Sequence, residues 1–398
     1  MKLGWTMAQR AIGYRFERLA ADVVAPRSTR HYECRQLDRQ AWQALASAGL
    51  WQLPVPERLG GQGLSWWEFC AALEGTARGG RDLGFCLSLI AHAGLVRALL
   101  LFGTPEQQRN HLPGLMRGAV GATALTELTG GSDVARVNTT AHETDGGYHL
   151  IGLKAHITNA PVADFFFVLG RVAEAPAKRD ITIFLVDRDL AGVETGAPEE
   201  MLGNRTSPTG PVRFDKVFLP ESRILGGVGQ GLELTYRTIA LDRLLYGVVG
   251  AAYLETVLRD AMAYAHTRTA FHQKIADFQY VQRRLTNIKL AVETTRWLSY
   301  AALAHVLDED PAANLMSSAA KLVGSEGLAS AAVDAMQVFG HTGYETGTAS
   351  RNVRDALGTL IAGGTSDIQR KNIFTQLVAL DVAAPQPLPV LTSLPKAA

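Results

Sequence analysis

The chain changes its residue pattern near positions 121 and 230, and this change constrains the fold more than any other feature. Between these positions, short runs rich in β-branched and aromatic residues, such as 165–169 and 181–186, alternate with Gly, Pro, Asp and Asn. That pattern is typical of an antiparallel β domain. On either side, apolar residues recur every three or four positions, which predicts helices. We therefore expect helices, then a β domain, then helices.

The predicted domains follow this pattern. With 398 residues, the chain is longer than one typical domain. We place a helical domain at 1–120, a β domain at 121–230 and a second helical domain at 231–382, where Ala- and Leu-rich runs predict long helices. The remaining residues, 383–398, contain four prolines and are expected to form a loose tail.

Composition and charge exclude several classes of protein. Apolar residues make up 47% of the chain, which excludes a disordered protein, and 39 basic against 38 acidic residues give a net charge of +1. Such a balance gives no electrostatic reason to expect nucleic acid or an anionic membrane as a partner. The three cysteines, Cys34, Cys70 and Cys86, are too few and too scattered for a disulfide framework or a zinc site.

The sequence also gives expectations about location and metals. The first residues lack the apolar core of a signal peptide, and the apolar runs are shorter than a bilayer span, with Arg97 interrupting one of them. The histidines are isolated from one another and form no HExxH pair. We therefore expect a soluble, cytoplasmic protein with no metal site and no membrane partner.

A glycine-rich segment, TELTGGSD at 126–133, is the first candidate for chemistry. It lies where the helical pattern gives way to strands, and two glycines beside hydroxyls suit a loop that closely approaches the polar edge of a ligand. The alternative is an ordinary glycine-rich connection. The GxGxxG, P-loop and GxSxG motifs do not occur, so Rossmann or Walker nucleotide binding and a serine hydrolase have no support.

A series of short motifs runs along the whole chain. They are PERLGGQGL at 56–64, LTELTGGSD at 125–133, GLKAHITN at 152–159, GNRTSPT at 203–209, FDKVFLP at 214–220, RTAFHQKIADFQ at 268–279, QVFGHTGY at 337–344, RDA at 354–356 and IAGGTSDIQR at 361–370. Each motif is weak alone. In this order and at this spacing, they resemble the acyl-CoA dehydrogenase family over nearly the whole chain.

This resemblance implies a mainly α fold with a central β domain: an N-terminal helical domain, a middle β barrel and a C-terminal four-helix bundle. It implies non-covalent FAD and a homotetramer in which the FAD of one subunit reaches a neighbour. The implied substrate is an acyl thioester on CoA or on acyl carrier protein, and the implied electron acceptor is an electron-transfer flavoprotein or O₂. In the implied reaction a carboxylate removes the α-proton and flavin N5 accepts the β-hydride.

The resemblance also assigns roles to residues at matching motif positions. Leu125, Thr126 and Ser132 would line the isoalloxazine and pyrophosphate, and His156 and Thr158 would lie beside the flavin ring near N5. The adenosine diphosphate half would be held, partly across the subunit interface, by Arg268, Phe271, Gln279, Gln337 and Gly340. The residues near that same FAD would also include Thr365 and Asp367. The substrate would lie near Ser132, Arg243 and Gly364.

The most important departure from the family pattern concerns the catalytic base. Most of the family places a glutamate directly before the GT of the terminal motif, where this chain has Gly363. A smaller branch, which includes isovaleryl-CoA dehydrogenases, places it on the first long C-terminal helix, directly before an arginine; here that position is Asp242, before Arg243. We predict Asp242 as the base. The alternative is that Asp242 pairs with an arginine or caps a turn.

Other departures concern the surroundings of the flavin. His156 replaces the usual tryptophan of the WIT motif, and His272 and His341 stand where glycine is usual. A histidine is smaller than a tryptophan and can donate a hydrogen bond, so oxygen could reach the flavin more easily. The alternative is a histidine that stacks on the ring. Because His156 replaces the tryptophan and Gly363 replaces the glutamate, two other functions stay possible. They are a flavin monooxygenase and a catalytically silent flavoprotein subunit.

Overall fold

The structure, a computed structural model, describes residues 4–177 and 179–383. Within these ranges the predicted order is confirmed, because helices precede an eight-stranded sheet and further helices follow it. The predicted tail at 383–398 lies outside the described residues, apart from Ala383 at the end of the last helix. The predicted boundaries at 120 and 230 stay predictions.

Helices form the N-terminal domain. They are α1 (Met7–Val23), α2 (Ala25–Cys34), α3 (Arg39–Ser47), α4 (Trp66–Gly80), α5 (Leu83–Phe102) and α6 (Pro105–Met116). Thr104 begins α6 with a capping box, in which its side chain accepts a hydrogen bond from the Gln107 amide. Pro105 suits the first helical position because its missing N–H would have no partner there.

Helix α5 lies in the core of the molecule. By length and composition it could cross a membrane, the one such helix in the described part of the chain, yet 78% of its most apolar window is buried inside the protein. The expectation that every apolar run falls short of a bilayer span is therefore wrong for α5. Its apolar surface is already covered by protein, as in the core helix of a globular fold.

The middle domain is a mixed sheet. Its strands are β1 (Gly121–Ala124), β2 (Thr140–Thr144), β3 (Gly147–Thr158), β4 (Phe165–Val172), β5 (Ile181–Asp187), β6 (Val193–Thr195), β7 (Thr209–Pro220) and β8 (Ile224–Leu225). The strand order is β6-β7-β3-β2-β4-β5-β8, and β1 also pairs with β4. Both β1 and β2 run parallel to β4, so the antiparallel expectation is wrong for these two pairs. Each reaches β4 through a long connection, which parallel pairing requires.

The C-terminal domain is built on long helices. Its elements are α7 (Gly231–Thr267), the hairpin β9 (Thr269–Ala270) and β10 (Gln273–Lys274), α8 (Gln279–Leu307), α9 (Ala313–Phe339), α10 (His341–Tyr344), α11 (Thr348–Thr359) and α12 (Ser366–Ala383). Helices α7, α8 and α9 pack on one another and α12 packs on α9, which gives the expected four-helix bundle. The N-terminal helices α4 and α5 pack against α7.

A buried carboxylate joins all three domains. Asp82, just before α5, accepts hydrogen bonds from Ser28 Oγ at 2.5 Å and from Thr206 Oγ1 of the middle domain at 2.6 Å. Arg351 of α11 lies 3.0 Å from the same carboxylate. Since a buried charge needs partners, this cluster favours one arrangement of the three domains. That arrangement holds α5 against α7, where the candidate site lies.

Candidate active site

The candidate base lies where α7 crosses α5. A Cβ added to Gly94 of α5 would lie 2.5 Å from Asp242 Oδ1 and 2.6 Å from Oδ2. No side chain larger than hydrogen fits there without moving the carboxylate, since real Cβ atoms essentially never approach a heavy atom within 3.0 Å. The absence of a side chain at Gly94 therefore makes the space that the Asp242 carboxylate fills.

The Asp242 carboxylate is poorly solvated. Its Oδ1 is shielded from solvent and has no hydrogen-bond donor among the described residues, although the side chain as a whole stays partly exposed. Burial raises the pKa of Asp242 to about 8, against the opposing charges of Arg97 and Arg243. A carboxyl of raised pKa that accepts no hydrogen bond on Oδ1 in the described chain is compatible with a general base, and Asp242 as the base stays a prediction.

Tyr246 follows Asp242 by one helical turn and closes the other side of the site. A Cβ on Gly363 would lie 2.9 Å from Tyr246 Cε2, and Gly363 has a φ of +70°. The position that holds the usual glutamate of the family is therefore one where this chain needs glycine. Burial raises the pKa of the Tyr246 phenol above its usual range. The loop is held by Gln369, whose Nε2 donates to the carbonyls of Gly363 and Gly364 at 3.1 and 3.0 Å.

Arg243 points away from Asp242. Its Nη1 lies 3.5 Å from Ser318 Oγ of α9, so the guanidinium lies between α7 and α9 rather than against α5. Burial lowers the pKa of Arg243 to about 10. Near it, Lys321 of α9 is fully buried, and burial together with the charge of Arg243 lowers the pKa of Lys321 to about 8. The predicted contact of Arg243 with the substrate stays a prediction.

A buried ion pair shapes the loop that begins at Leu125. Lys154 Nζ donates to the Leu125 carbonyl at 3.0 Å and to Glu127 Oε1 at 2.8 Å. The Glu127 carboxylate also accepts the amides of Asn138 and Thr139, at 2.8 and 2.9 Å. Although burial opposes it, hydrogen bonding lowers the pKa of Glu127 to about 2. The loop is therefore anchored by this ion pair, and its approach to a ligand stays a prediction.

The residues predicted beside the flavin ring lie near this loop. The Thr126 carbonyl accepts the Ala155 amide at 2.9 Å, which ties the loop to β3. His156 and Thr158 stand at the end of β3, and Ser132 is exposed. His156 has a φ of +58° and an exposed ring, whose Nδ1 lies 3.0 Å from both carboxylate oxygens of Glu199. The structure thus brings Leu125, Thr126, His156 and Thr158 together on the middle domain.

A second group of predicted residues lies at one end of the bundle. Antiparallel packing places the end of α7, the start of α8 and the end of α9 together, as the contact of Tyr264 with Phe339 shows, at 5.0 Å between ring centroids. The predicted residues at this end are Arg268, Phe271, Gln279, Gln337 and Gly340. In the part of the chain that the structure describes, the side chains of Arg268, Gln279 and Gln337 make no hydrogen bond.

Phe271 and His272 form the tip of the hairpin β9–β10. Their φ angles are +48° and +64°, the left-handed conformation that a two-residue hairpin turn requires. This conformation explains why glycine is usual at position 272 in the family. Phe271 is 87% exposed, so an aromatic ring stands in solvent at the end of the bundle where Arg268 and Gln279 have donors without acceptors in the described chain. A guanidinium and amides beside an exposed ring fit a diphosphate and a nucleoside, and so this end fits the adenosine diphosphate half of FAD.

The remaining predicted residues lie at the start of α12. Thr365 Oγ1 accepts the Ile368 amide at 3.3 Å, and Asp367 is exposed, 3.6 Å from Arg370. They follow the Gly363–Gly364 loop directly, and so this region borders the site around Asp242 and Tyr246. Three residues of that site were not found by sequence reasoning, namely Gly94, Arg97 as a neighbour of Asp242, and Tyr246.

Three family models match the chain in succession. They are the N-terminal domain of acyl-CoA dehydrogenase at residues 6–119, the middle domain at 122–217 and the C-terminal domain at 229–378. The chain therefore belongs to the acyl-CoA dehydrogenase family, and it has the three-domain fold of that family. It is an oxidoreductase.

Similar proteins cover nearly the whole chain. Benzylmalonyl-CoA dehydrogenase of Aromatoleum aromaticum is 34% identical over 370 residues, which are 92% of this chain and 97% of that protein. The L-prolyl-[peptidyl-carrier protein] dehydrogenase of Pseudomonas fluorescens is 32% identical over 353 residues, 88% of this chain and 91% of that protein.

Solved structures agree with the fold. The prolyl acyl carrier protein oxidase AnaB superposes with a TM-score of 0.90 at 29% identity, over 94% of this chain and 100% of that chain. The FAD complex of PigA gives a TM-score of 0.89 at 28% identity, over 95% of this chain and 99% of that chain. The cofactor of this chain is FAD.

Proposed function

We propose that this protein forms a 2,3-unsaturated acyl thioester by α,β-dehydrogenation, with Asp242 as the base that removes the α-proton. One observation carries the proposal. The Asp242 carboxylate fills the space that Gly94 leaves, belongs to a residue that is only half-buried, and has no hydrogen-bond donor on Oδ1 within the described chain. A carboxylate that served the fold alone would be expected to accept hydrogen bonds.

The chemistry of a thioester explains why such a carboxylate is needed. The carbonyl acidifies the neighbouring carbon, but water at neutral pH is too weak a base to remove its proton. A desolvated carboxylate is more basic than one in water, because burial disfavours its charge. Bound FAD supplies the acceptor for the hydride that leaves the β-carbon. The proton therefore goes to Asp242, and the double bond forms between the two carbons.

Asp242 has to be a strong base and also be ionised before the reaction, and the charges near it affect both properties. The carboxyl must be ionised to accept the proton, and burial raises its pKa to about 8. The positive charges of Arg97 and Arg243 favour the ionised form, so they limit this rise. The arrangement keeps the base strong while a useful fraction stays ionised near neutral pH.

The relatives bear on the substrate class. Their names specify a benzylmalonyl group on CoA and a prolyl group on a peptidyl carrier protein. We infer that this chain also acts on an acyl group held as a thioester, on CoA or on a carrier protein.

We keep the homotetramer as part of the proposal, because α12 presents Phe374, Leu377 and Val378 as exposed apolar residues that a partner subunit would cover.

The electron acceptor is an electron-transfer flavoprotein or O₂, and one contact favours O₂. The His156 ring lies against Glu199 and is exposed, so beside the predicted flavin edge it would give less cover than a tryptophan. We expect His156→Trp to slow the reoxidation of reduced enzyme by O₂, measured by mixing with air-saturated buffer. His142→Trp, at an exposed position of β2, is the control. An unchanged rate in His156→Trp would remove the support for O₂, and for the monooxygenase alternative with it.

The test of the proposed function is anaerobic mixing of the FAD-loaded protein with a panel of acyl thioesters, on CoA and on carrier protein. We expect at least one thioester to bleach the flavin absorbance without any nicotinamide, and the product to carry a 2,3 double bond by mass spectrometry. A protein that binds FAD, yet is reduced by none of the panel and only by a nicotinamide, would support the monooxygenase. A protein reduced by neither would support the silent subunit.

A further inference from the structure

Arg97 of α5 is a buried arginine with no matching partner among the described residues. It is 7% exposed, and its Nη1 is shielded from solvent with no hydrogen-bond acceptor among the residues that the structure describes. It follows Gly94 by three positions, so both lie on the face of α5 that meets α7 near Asp242. A buried guanidinium with an unused donor is costly, and such a donor in a site usually has a ligand.

Asp242 does not satisfy Arg97. The two side chains attract each other, yet in the described chain no ion pair or hydrogen bond joins them, and the Asp242 Oδ1 is itself without a donor. The other acidic group that acts on Arg97 is Glu309, which pairs with Arg237 at 3.8 Å. Burial lowers the pKa of Arg97 to about 10, which leaves it charged at neutral pH.

The surroundings of the site hold more positive than negative charge. Arg97 and Arg243 are both buried, and they are the two cations whose charge acts on Asp242. An anion that entered beside Asp242 would therefore meet an uncompensated guanidinium.

We propose that Arg97 is a specificity-determining residue that binds a carboxylate on the acyl group of the substrate. The substrate class is then a thioester of a dicarboxylic acid, whose second carboxylate accepts hydrogen bonds from the Arg97 guanidinium while its α-carbon lies at Asp242. The inference rests on the proposed dehydrogenation. It adds a partner for Arg97 Nη1, a buried donor that has no acceptor among the described residues and that the reaction itself does not use.

The test compares matched thioesters on the FAD-loaded protein. Succinyl-CoA and glutaryl-CoA carry a terminal carboxylate, whereas butyryl-CoA and valeryl-CoA have the same carbon chains without it. Binding is measured by the change of the flavin spectrum under anaerobic conditions, and reduction by its bleaching. We expect at least one carboxylated thioester to bind about tenfold to a hundredfold more tightly than its neutral counterpart.

Variants separate a ligand role from a structural one. Arg97→Met should remove the preference for the carboxylate and change the binding of neutral thioesters less than about threefold, whereas Arg97→Lys should keep part of it. Arg237→Met, at an exposed arginine beside α5, is the control and should keep the preference. Equal binding of both thioester classes by the parent protein would overturn the inference, and this result does not require any variant to fold.

The failure of the proposed function is distinguishable from the failure of this inference. If neutral thioesters reduce the flavin and the carboxylated ones show no advantage, the dehydrogenase stands and the role of Arg97 is refuted. If Arg97→Met weakens both classes alike, Arg97 is a structural residue and the inference is again refuted. If no thioester on either carrier reduces the flavin, the proposed function fails, and the inference fails with it.

Discussion

Gly94 and Asp242 fit together as a pair: a methyl group on Gly94 would lie 2.5 Å from Asp242 Oδ1. Helix α5 thus sets where the carboxylate of α7 can stand. Because general-base catalysis depends on the position of the base as well as on its pKa, the pair links the packing of two domains to the chemistry.

The first prediction follows from this pair. Gly94→Ala should push the carboxylate out of place and lower the rate of flavin reduction by a thioester about 100-fold, the usual effect of misplacing a catalytic group by about 1 Å. FAD should stay bound. Gly114→Ala is the control, since a Cβ on that glycine of α6 meets nothing within 4 Å. If Gly94→Ala reduced the flavin at the parent rate, the added methyl group would fit beside the Asp242 carboxylate, and the close fit of the pair would be wrong.

The second prediction concerns pH. The pKa of Asp242 is raised to about 8 and only the ionised carboxylate can accept the proton, so the reduction rate should rise as pH rises. Below about pH 8 the rise should be about tenfold per pH unit, and above it the rate should level off. Stopped-flow reduction from pH 6 to 9.5 measures this profile. A rate that falls over this range would contradict the assignment of a carboxylate base with a raised pKa.

The third prediction concerns Gly363. Gly363→Glu would restore the arrangement that is common in the family and could be expected to rescue Asp242→Asn. The structure predicts no rescue, because Gly363 has a φ of +70° and its Cβ would meet Tyr246 Cε2 at 2.9 Å. The backbone strain alone costs about 1–3 kcal/mol. We therefore expect a lower melting temperature and no recovery of flavin reduction in the double variant.

The control for this prediction is Gly347→Glu. Its φ of 179° is extended, and a Cβ there meets nothing within 4 Å, so the melting temperature should change little. Recovery of the reduction rate in the Asp242→Asn, Gly363→Glu double variant would show that Tyr246 moves aside and that the loop accepts a side chain.

The fourth prediction concerns FAD. Arg268→Ala should weaken FAD binding by about 1.5–3 kcal/mol, roughly tenfold to a hundredfold in Kd, because a phosphate would lose a charge-assisted donor. Equilibrium dialysis or fluorescence of released FAD measures the affinity. Arg109→Ala, at an exposed arginine of α6, should bind FAD as the parent does. Equal affinities in the two variants would remove Arg268 from the cofactor site.

The order of elements could be predicted from the sequence because local periodicity encodes it. The partners of the strands could not. Gly121–Ala124 pairs with β4 in parallel, with Gly121 opposite Phe165, across a long stretch of intervening chain. Alternating apolar residues predict a strand but do not identify the strand that pairs with it, so the two parallel pairings appear only in the folded sheet.

The candidate site could be predicted only in part, because some of its residues have no local signal in the sequence. Asp242 stands in a recognisable pair with Arg243, whereas Gly94 lies in a helix that is apolar on all sides and offers no periodic signal. Its role depends on how α5 meets α7. Two signals were visible in the sequence: Arg97 interrupts an apolar run, and Tyr246 follows Asp242 by four residues, which places both on one helical face.

The most direct test of the account is the rate of anaerobic flavin reduction in Asp242→Asn with a thioester that reduces the parent protein. The amide cannot accept a proton, so the rate should fall by about 10²–10⁴ while FAD and thioester binding persist. Asp242→Glu should keep substantial activity, and the exposed-site control Asp189→Asn should match the parent. Reduction of Asp242→Asn at the parent rate would contradict the central claim that Asp242 is the base.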